Sequence, residues 1–269
     1  MFAQRRWMIS LAFLSLGVSA HAGTLVYAVS LFGPFGTIDV STGTFNQIGP
    51  ALSDPLGGLV FGPNGYLGVS FSGNLDSLNP ATGGVTVIGA TGLGNQADTM
   101  AILNGTVYET DLSNDIYTVN TTTGDAQLIG NTGIPPCPPP PLAGDESLFT
   151  ANGNLYETFD TLDPNTFTPI IDPELYQINP VTGLATLIGP TAFMIDAAID
   201  LKGTVYAFTA DAQVLSLDLA TGSTTFLTNY DPAAAIIGGV APTPEPSSLA
   251  LASTGMAAFL VFKRRRRRS

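Results

Sequence analysis

Two glutamates, Glu109 and Glu157, stand at the same place in two copies of a repeated strand, each four residues beyond the glycine of an Asn-Gly pair. Paired carboxylates carry out glycoside hydrolysis when they lie roughly 5–5.5 Å or 6.5–9.5 Å apart. That is the one catalytic chemistry these residue types suggest. The corresponding residues of the other copies are Ala28, Val69 and Ala207, and no His or Arg lies between residues 23 and 243 to hold a sugar or tune an acid. A second pattern is an Asp or Asn four residues before a Thr-Gly glycine, at Asp39, Asn79, Asn120, Asn179 and Asp218. Metal binding would favour Asp throughout. Asp and Asn share a side-chain oxygen that accepts a backbone N–H two residues on, so the pattern reads as an Asx turn.

Calcium takes six to eight hard oxygen ligands. Asp111-Leu112-Ser113-Asn114-Asp115 could supply them, as could the acidic stretch holding Asp160, Asp163, Asn165 and Asp172. Neither has EF-hand spacing, so calcium stays an open alternative to solvated acidic loops. Cys137 is the single cysteine, which excludes an intrachain disulfide. It sits among prolines with no basic neighbour to lower its pKa, and reads as a free thiol or an intermolecular partner. No catalytic, cofactor-binding or metal residue is assigned.

These residues must be positioned by a repeat. The Thr-Gly glycines fall at 43, 83, 124, 183 and 222, and an Ile-Gly follows at 48–49, 88–89, 129–130 and 188–189, with Leu227-Thr228 in the last copy. Glycine turns at Asn64-Gly65, Asn104-Gly105, Asn152-Gly153 and Lys202-Gly203 join apolar runs, which is a hairpin signal because both residues accept positive φ. Each period therefore offers four short strands. A period near 40 residues with four strands is a propeller blade. The body begins on a second strand and ends with a first strand near Ala235–Val240, so the two termini should complete one blade and close the ring. The expected fold is all-β: a five-bladed β-propeller over residues 23–242, with Tyr27, Tyr108, Tyr156 and Tyr206 as blade packing. The 59-residue spacing between Gly124 and Gly183 holds two insertions, a polyproline loop at 134–141 and an acidic loop at 159–173.

The ends carry addresses. Arg5 and Arg6, the apolar run 8–18 and Ala20-His21-Ala22 read as a signal peptide over residues 1–22. At the other end, residues 243–269 join Pro244, Glu245 and Pro246 to an apolar run at 247–262. A basic cluster of Lys263, Arg264, Arg265, Arg266, Arg267 and Arg268 follows. Sixteen residues at about 1.5 Å rise give a transmembrane helix of roughly 24 Å, whose basic flank stays on the cytoplasmic side.

Pro-Glu-Pro, a short apolar helix and terminal arginines together resemble the PEP-CTERM sorting signal of Gram-negative bacteria. The resemblance implies passage through the secretion translocon and retention in the inner membrane. It further implies cleavage near Pro-Glu-Pro by an exosortase-type enzyme and delivery to the cell surface or extracellular matrix, often alongside exopolysaccharide. More loosely, the body resembles propeller-like repeat proteins that bind partners or glycans.

Of nine basic residues, all but Lys202 lie in the two ends, whereas twenty of the twenty-one acids lie in the body. A surface with that balance repels phosphates and excludes nucleic-acid binding. The reading is an exported, non-enzymatic binding or structural propeller with a polysaccharide or protein partner. The alternative is a carboxylate-dependent, glycan-active enzyme.

Overall fold

The computed structural model describes residues 24–94, 97–135, 143–162 and 169–244. They form five four-stranded antiparallel sheets. Strands β1 (Leu25–Ser30), β2 (Phe35–Asp39) and β3 (Phe45–Gln47) belong to the first blade. The second holds β4 (Leu56–Gly62), β5 (Gly65–Ser70), β6 (Asn74–Leu78) and β7 (Val85–Ala90). The third holds β8 (Ala97–Leu103), β9 (Thr106–Asp111), β10 (Asp115–Val119) and β11 (Ala126–Asn131). The fourth holds β12 (Ala143–Ala151), β13 (Asn154–Leu162), β14 (Pro169–Ile178) and β15 (Ala185–Pro190). The fifth holds β16 (Ala197–Leu201), β17 (Thr204–Phe208), β18 (Gln213–Leu217) and β19 (Thr224–Asn229). The last strand, β20 (Ile237–Pro242), pairs antiparallel with β1 from Val26–Pro242 to Ser30–Ile237 and completes the first blade. The inner strands β4, β8, β12, β16 and β20 contact one another around the axis. The chain is thus a five-bladed propeller closed by its two ends, as the phase of the repeat requires.

Three hairpins that join an inner strand to its second strand carry left-handed pairs: Asn104 and Gly105 (φ 52° and 82°), Asn152 and Gly153 (49° and 75°), Lys202 and Gly203 (58° and 87°). These are the positive-φ pairs of a type I′ turn. The second blade departs from the expectation. Its turn is Pro63-Asn64, closed by the Gly62–Gly65 pair, rather than Asn64-Gly65. In the expected register Pro63 would flank the turn opposite Tyr66 and lack the N–H that pair needs, whereas its φ near −65° suits the first central position of a turn, so the turn shifts by one residue. That shift changes which residue of β5 matches Glu109: it is Gly68, not Val69, because Gly68 faces Asp76 as Glu109 faces Tyr117.

The Thr-Gly and Ile-Gly signals are two halves of one joint. A Cβ on Gly89 would lie 1.9 Å from the Thr123 carbonyl oxygen, and one on Gly124 would lie 2.5 Å from the Gly89 oxygen. The same contact recurs with Gly49 against Thr82 at 2.1 Å, Gly130 against Thr182 at 2.6 Å and Gly189 against Thr221 at 2.5 Å. The last strand of each blade is therefore pressed backbone to backbone on the Thr-Gly turn of the next. At the closing seam Gly43 meets the Asn229 oxygen at 1.9 Å, and Asp231 N–H donates to the Gly43 carbonyl at 2.9 Å.

Five apolar clusters fill the five seams, one between each pair of neighbouring blades. Both faces of the inner three strands of each sheet are thus largely buried, so there strand alternation selects the seam rather than core against solvent. In the fourth blade the acidic insertion is mostly strand. β13 and β14 pair out to Leu162–Pro169, which replaces the expected loop over 159–173 with an extended hairpin. Phe159 supplies the reason, since it is 1% exposed within the seam between the third and fourth blades. The polyproline loop beyond residue 135, Cys137 included, lies outside the described residues.

Gly89 and Gly105 separate two demands on glycine. Gly89 needs close approach, whereas Gly105 has φ 82° with nothing within 4 Å of its Cβ position. Gly89→Ala should destabilise the body by about 1–3 kcal/mol or more through overpacking against backbone. Gly105→Ala should cost only the left-handed penalty of roughly 1–2 kcal/mol. Denaturant melts of both variants check the order.

Candidate functional site

Glu109 and Glu157 are fully buried, at 0% exposure, and belong to different seams. Glu109 pairs with Met100 and shares its face with Val107, both in the cluster against the second blade. Glu157 pairs with Leu148 and shares its face with Leu155, both in the cluster between the third and fourth blades. The sheet of the third blade stands between the two glutamates. They do not flank one cleft, so the two-carboxylate constellation is not assembled by the fold. Their structural counterparts in the other blades are Ala28, Gly68 and Ala207, so small residues hold this position wherever a carboxylate does not.

Their influence is felt on neighbouring phenols. Burial, the hydrogen bond to Asp111 and the charges of Asp111, Asp115 and Glu109 raise the Tyr117 hydroxyl well above its ordinary pKa. Burial together with Glu174 and Glu157 does the same at Tyr176, whose hydroxyl donates to Glu174 Oε2.

Sequence reasoning missed other seam carboxylates. Glu146, 5% exposed, lies on the Leu148 face of β12 and enters the same seam as Glu157. Asp160 and Asp196, 1% and 4% exposed, lie between the fourth and fifth blades. There Thr158 Oγ1 also donates to the Ile195 carbonyl at 3.1 Å. The available signal was a single acid within an apolar strand. Yet nothing in a strand buried on both faces tells from sequence where such an acid ends up.

Asp76 is the best defined of these groups. It is 2% exposed on β6, paired with Gly68 of β5. Its Oδ1 has no hydrogen-bond partner among the described residues. Beside it, Ser72 Oγ donates to Asp54 Oδ2 at 2.5 Å and lies 3.1 Å from Ser70 Oγ. Burial pushes the Asp76 carboxyl up to about 6; the Ser70 hydrogen bond opposes that and the Asp54 charge adds to it.

Of the calcium candidates, the segment from Asp111 to Asp115 forms a turn. Asp111 Oδ1 accepts from the N–H groups of Ser113 and Asp115 at 2.9 and 3.0 Å, and Oδ2 accepts from the Tyr117 hydroxyl at 3.0 Å. Asp160 is buried in a strand and Asp172 is exposed, while Asp163 and Asn165 lie outside the described residues. Among the described residues no three His, Cys, Asp or Glu side chains group to hold a metal. The five repeated Asx residues each accept the N–H two residues on: Ser41, Ala81, Thr122 and Val181 at 2.9 Å and Ala220 at 2.8 Å.

Open space lies elsewhere. A cleft of about 440 Å³ between the fourth and fifth blades is lined by Asp172, Thr191, Phe193, Met194, Thr209 and Asp211. It opens on the face where the second strand of each blade turns into the third. Phe193 offers an apolar surface and Asp172 and Asp211 offer acceptors, which suits a hydroxyl-rich or cationic group. On the opposite face, the axial channel has a mouth of about 180 Å³ lined by Leu59, Met100, Leu148, Ala198 and Val240, with Thr150 and Asp200 beside them.

The carboxyl of Asp76 gives a pH signature. Its folded value lies above the ordinary 3.8, so protonation favours the fold. That contribution is complete below about pH 3.8 and is lost as pH rises through about 6. Asp76→Asn should therefore raise the melting temperature relative to the parent at about pH 7.5 and leave it unchanged below about pH 4. The gain is at most about 3 kcal/mol. Paired thermal melts across that range check the sign.

Of the sorting residues, Pro244 is exposed two residues beyond β20, while Glu245, Pro246 and Lys263 to Arg268 lie outside the described residues. So do residues 1–22, read above as a signal peptide, and the apolar run at 247–262. No helix among the described residues is long and apolar enough to cross a membrane. A search of curated proteins gives no significant match. Among solved structures, the chain is similar to a glutaminyl cyclase of Myxococcus xanthus at 19% identity and a TM-score of 0.38, covering 74% of each chain. It is also similar to a structural-genomics protein of unknown function from Bacteroides thetaiotaomicron VPI-5482. That match has 14% identity and a TM-score of 0.49, covering 76% of this chain and 58% of the other. Residues 242–267 match the PEP-CTERM protein-sorting motif, which indicates an exported protein, anchored in the membrane and then processed by an exosortase. The chain is a five-bladed propeller that carries a PEP-CTERM sorting motif directly behind its closing strand.

Proposed function

We propose that the propeller is a non-enzymatic binding or structural protein presented at the surface or in the extracellular matrix of a Gram-negative bacterium. In this reading its partner is an extracellular polysaccharide or protein. The carrying observation is the sorting motif at residues 242–267, which begins on the last residue of β20 and so delivers the whole ring as cargo. The burial of Glu109 and Glu157 in separate seams supports a scaffold role for them over a catalytic pair. The outermost strands support a surface role. Val87, Leu128, Leu187 and Phe226 occupy one register position in four blades, each 53–59% exposed, and these strands carry no charged residue. An uncharged strand edge with apolar side chains is a ready contact surface.

Removal of residues 244–269 tests the address. The parent should pass through a membrane-bound precursor to a shorter surface form, and the truncated chain should skip both. Identical location and size for the two, by fractionation and immunoblotting, would sink the sorting reading. A glycan array on the body, run beside hydrolysis assays of the host polysaccharide, tests the non-enzymatic reading. Glu109→Gln with Glu157→Gln should leave glycan binding unchanged. Hydrolysis abolished by those substitutions in a still-folded body would favour the enzyme instead.

A further inference from the structure

The tail leaves the ring at a defined place. β20 is an inner strand, and its C-terminal end lies where the inner hairpins and the Thr-Gly turns emerge. Pro242 is fastened there, its carbonyl accepting from the Tyr66 hydroxyl at 2.8 Å, and Thr243 Oγ1 donates to the Leu25 carbonyl at 2.8 Å. Chain exit is therefore near the axis on the hairpin face. From Pro242 to the start of the apolar run at Ser247 there are five residues, a reach of at most about 17 Å.

That reach restricts how the body can stand on a membrane. Turning the loop face toward the lipid would require the tether to cross the ring's thickness, roughly 20 Å for a six-residue strand. Standing the ring on its rim would lift the exit by the three strand spacings to the outer edge, about 14 Å plus side chains. Only with the hairpin face down does the tether need no extension. Both faces carry acids, Asp39, Asp125, Asp200 and Asp218 with Lys202 on the hairpin face and Asp54, Asp115, Asp172, Asp211 and Asp231 on the loop face, so the tether and not charge sets the orientation.

We propose that the hairpin face of the propeller is a lipid-facing surface in the anchored precursor, holding the loop face outward until the tail is cut. The proposal rests on the membrane-anchored reading of the tail. It assigns different states to two clefts of similar size. The one of about 410 Å³ lined by Asn152, Thr204 and Asp218 is covered in the precursor, as is the apolar channel mouth. The one of about 440 Å³ holding Phe193, Asp172 and Asp211 is open throughout. Ligands in solution reach the loop face before processing and both faces after it.

Single cysteines in a Cys137→Ser background test this with a bulky, membrane-impermeant maleimide. Thr106→Cys and Thr204→Cys report on the hairpin face, Ser53→Cys and Asp211→Cys on the loop face; all four parent residues are exposed. Labelling is followed in the full-length precursor in native membranes and in the body lacking residues 244–269. The hairpin-face sites should label several-fold more slowly in the precursor than in the free body, while the loop-face sites label equally in both. Equal labelling of both faces in the precursor overturns the orientation while leaving anchoring intact. Protection of the hairpin-face sites in the free body as well also overturns it, because the shield would then not be lipid. A precursor that does not sediment with membranes overturns the anchoring and the orientation with it.

Discussion

Backbone meets backbone where the Ile-Gly of one blade lies on the Thr-Gly turn of the next, and the ring depends on that joint. A propeller blade has two apolar faces and cannot bury them alone; each must lie against a neighbour. Here the outer ends of the blades are locked by glycines close enough that a single Cβ would collide with a carbonyl. Side-chain interdigitation can tolerate exchange of one apolar residue for another. A backbone contact cannot, which is why a pair of glycines recurs around the ring while the intervening residues vary. The closing seam uses Asn229 in place of the second glycine and adds a hydrogen bond from Asp231, so the last joint is tied by the segment leading into β20.

With both faces of the inner three strands of each sheet largely committed to seams, an acidic side chain on an inner or middle strand has little choice but to be buried. Glu109, Glu146, Glu157, Asp160 and Asp196 follow from that geometry. Carboxylates concentrated near the axis of a ring resemble an active site when read from sequence. In the folded chain the third blade divides Glu109 from Glu157, so equivalent places in two repeats do not become one site. Asp76 shows the electrostatic consequence of the same burial, since its carboxyl holds its proton up to about pH 6.

The chain's ends give the ring its direction. Closing the first blade with the C-terminal strand removes an open edge and also puts the tail at the centre of one face. A tail on an outer strand would let the body swing about its rim. A tail on an inner strand, five residues from the apolar run, ties the hairpin face to whatever holds the tail.

Blade number, strand count, closure by both termini and the sorting tail were legible in the amino-acid sequence, because each is a local signal repeated at fixed spacing. Positive φ at Asn104-Gly105, the Asx turns at Asp39 and its equivalents, and the Pro-Glu-Pro run with its arginines depend only on neighbouring residues. Other outcomes needed the tertiary structure. A proline moved one turn and made Gly68, not Val69, the counterpart of Glu109. A buried Phe159 turned an acidic loop into paired strand. The partnership of the two glycine signals spans a seam between blades, so it has no expression within either repeat. Local conformation is set by short-range sterics and hydrogen bonds that a sequence displays. Which seam a side chain enters, and what it meets there, is set by packing between segments dozens of residues apart.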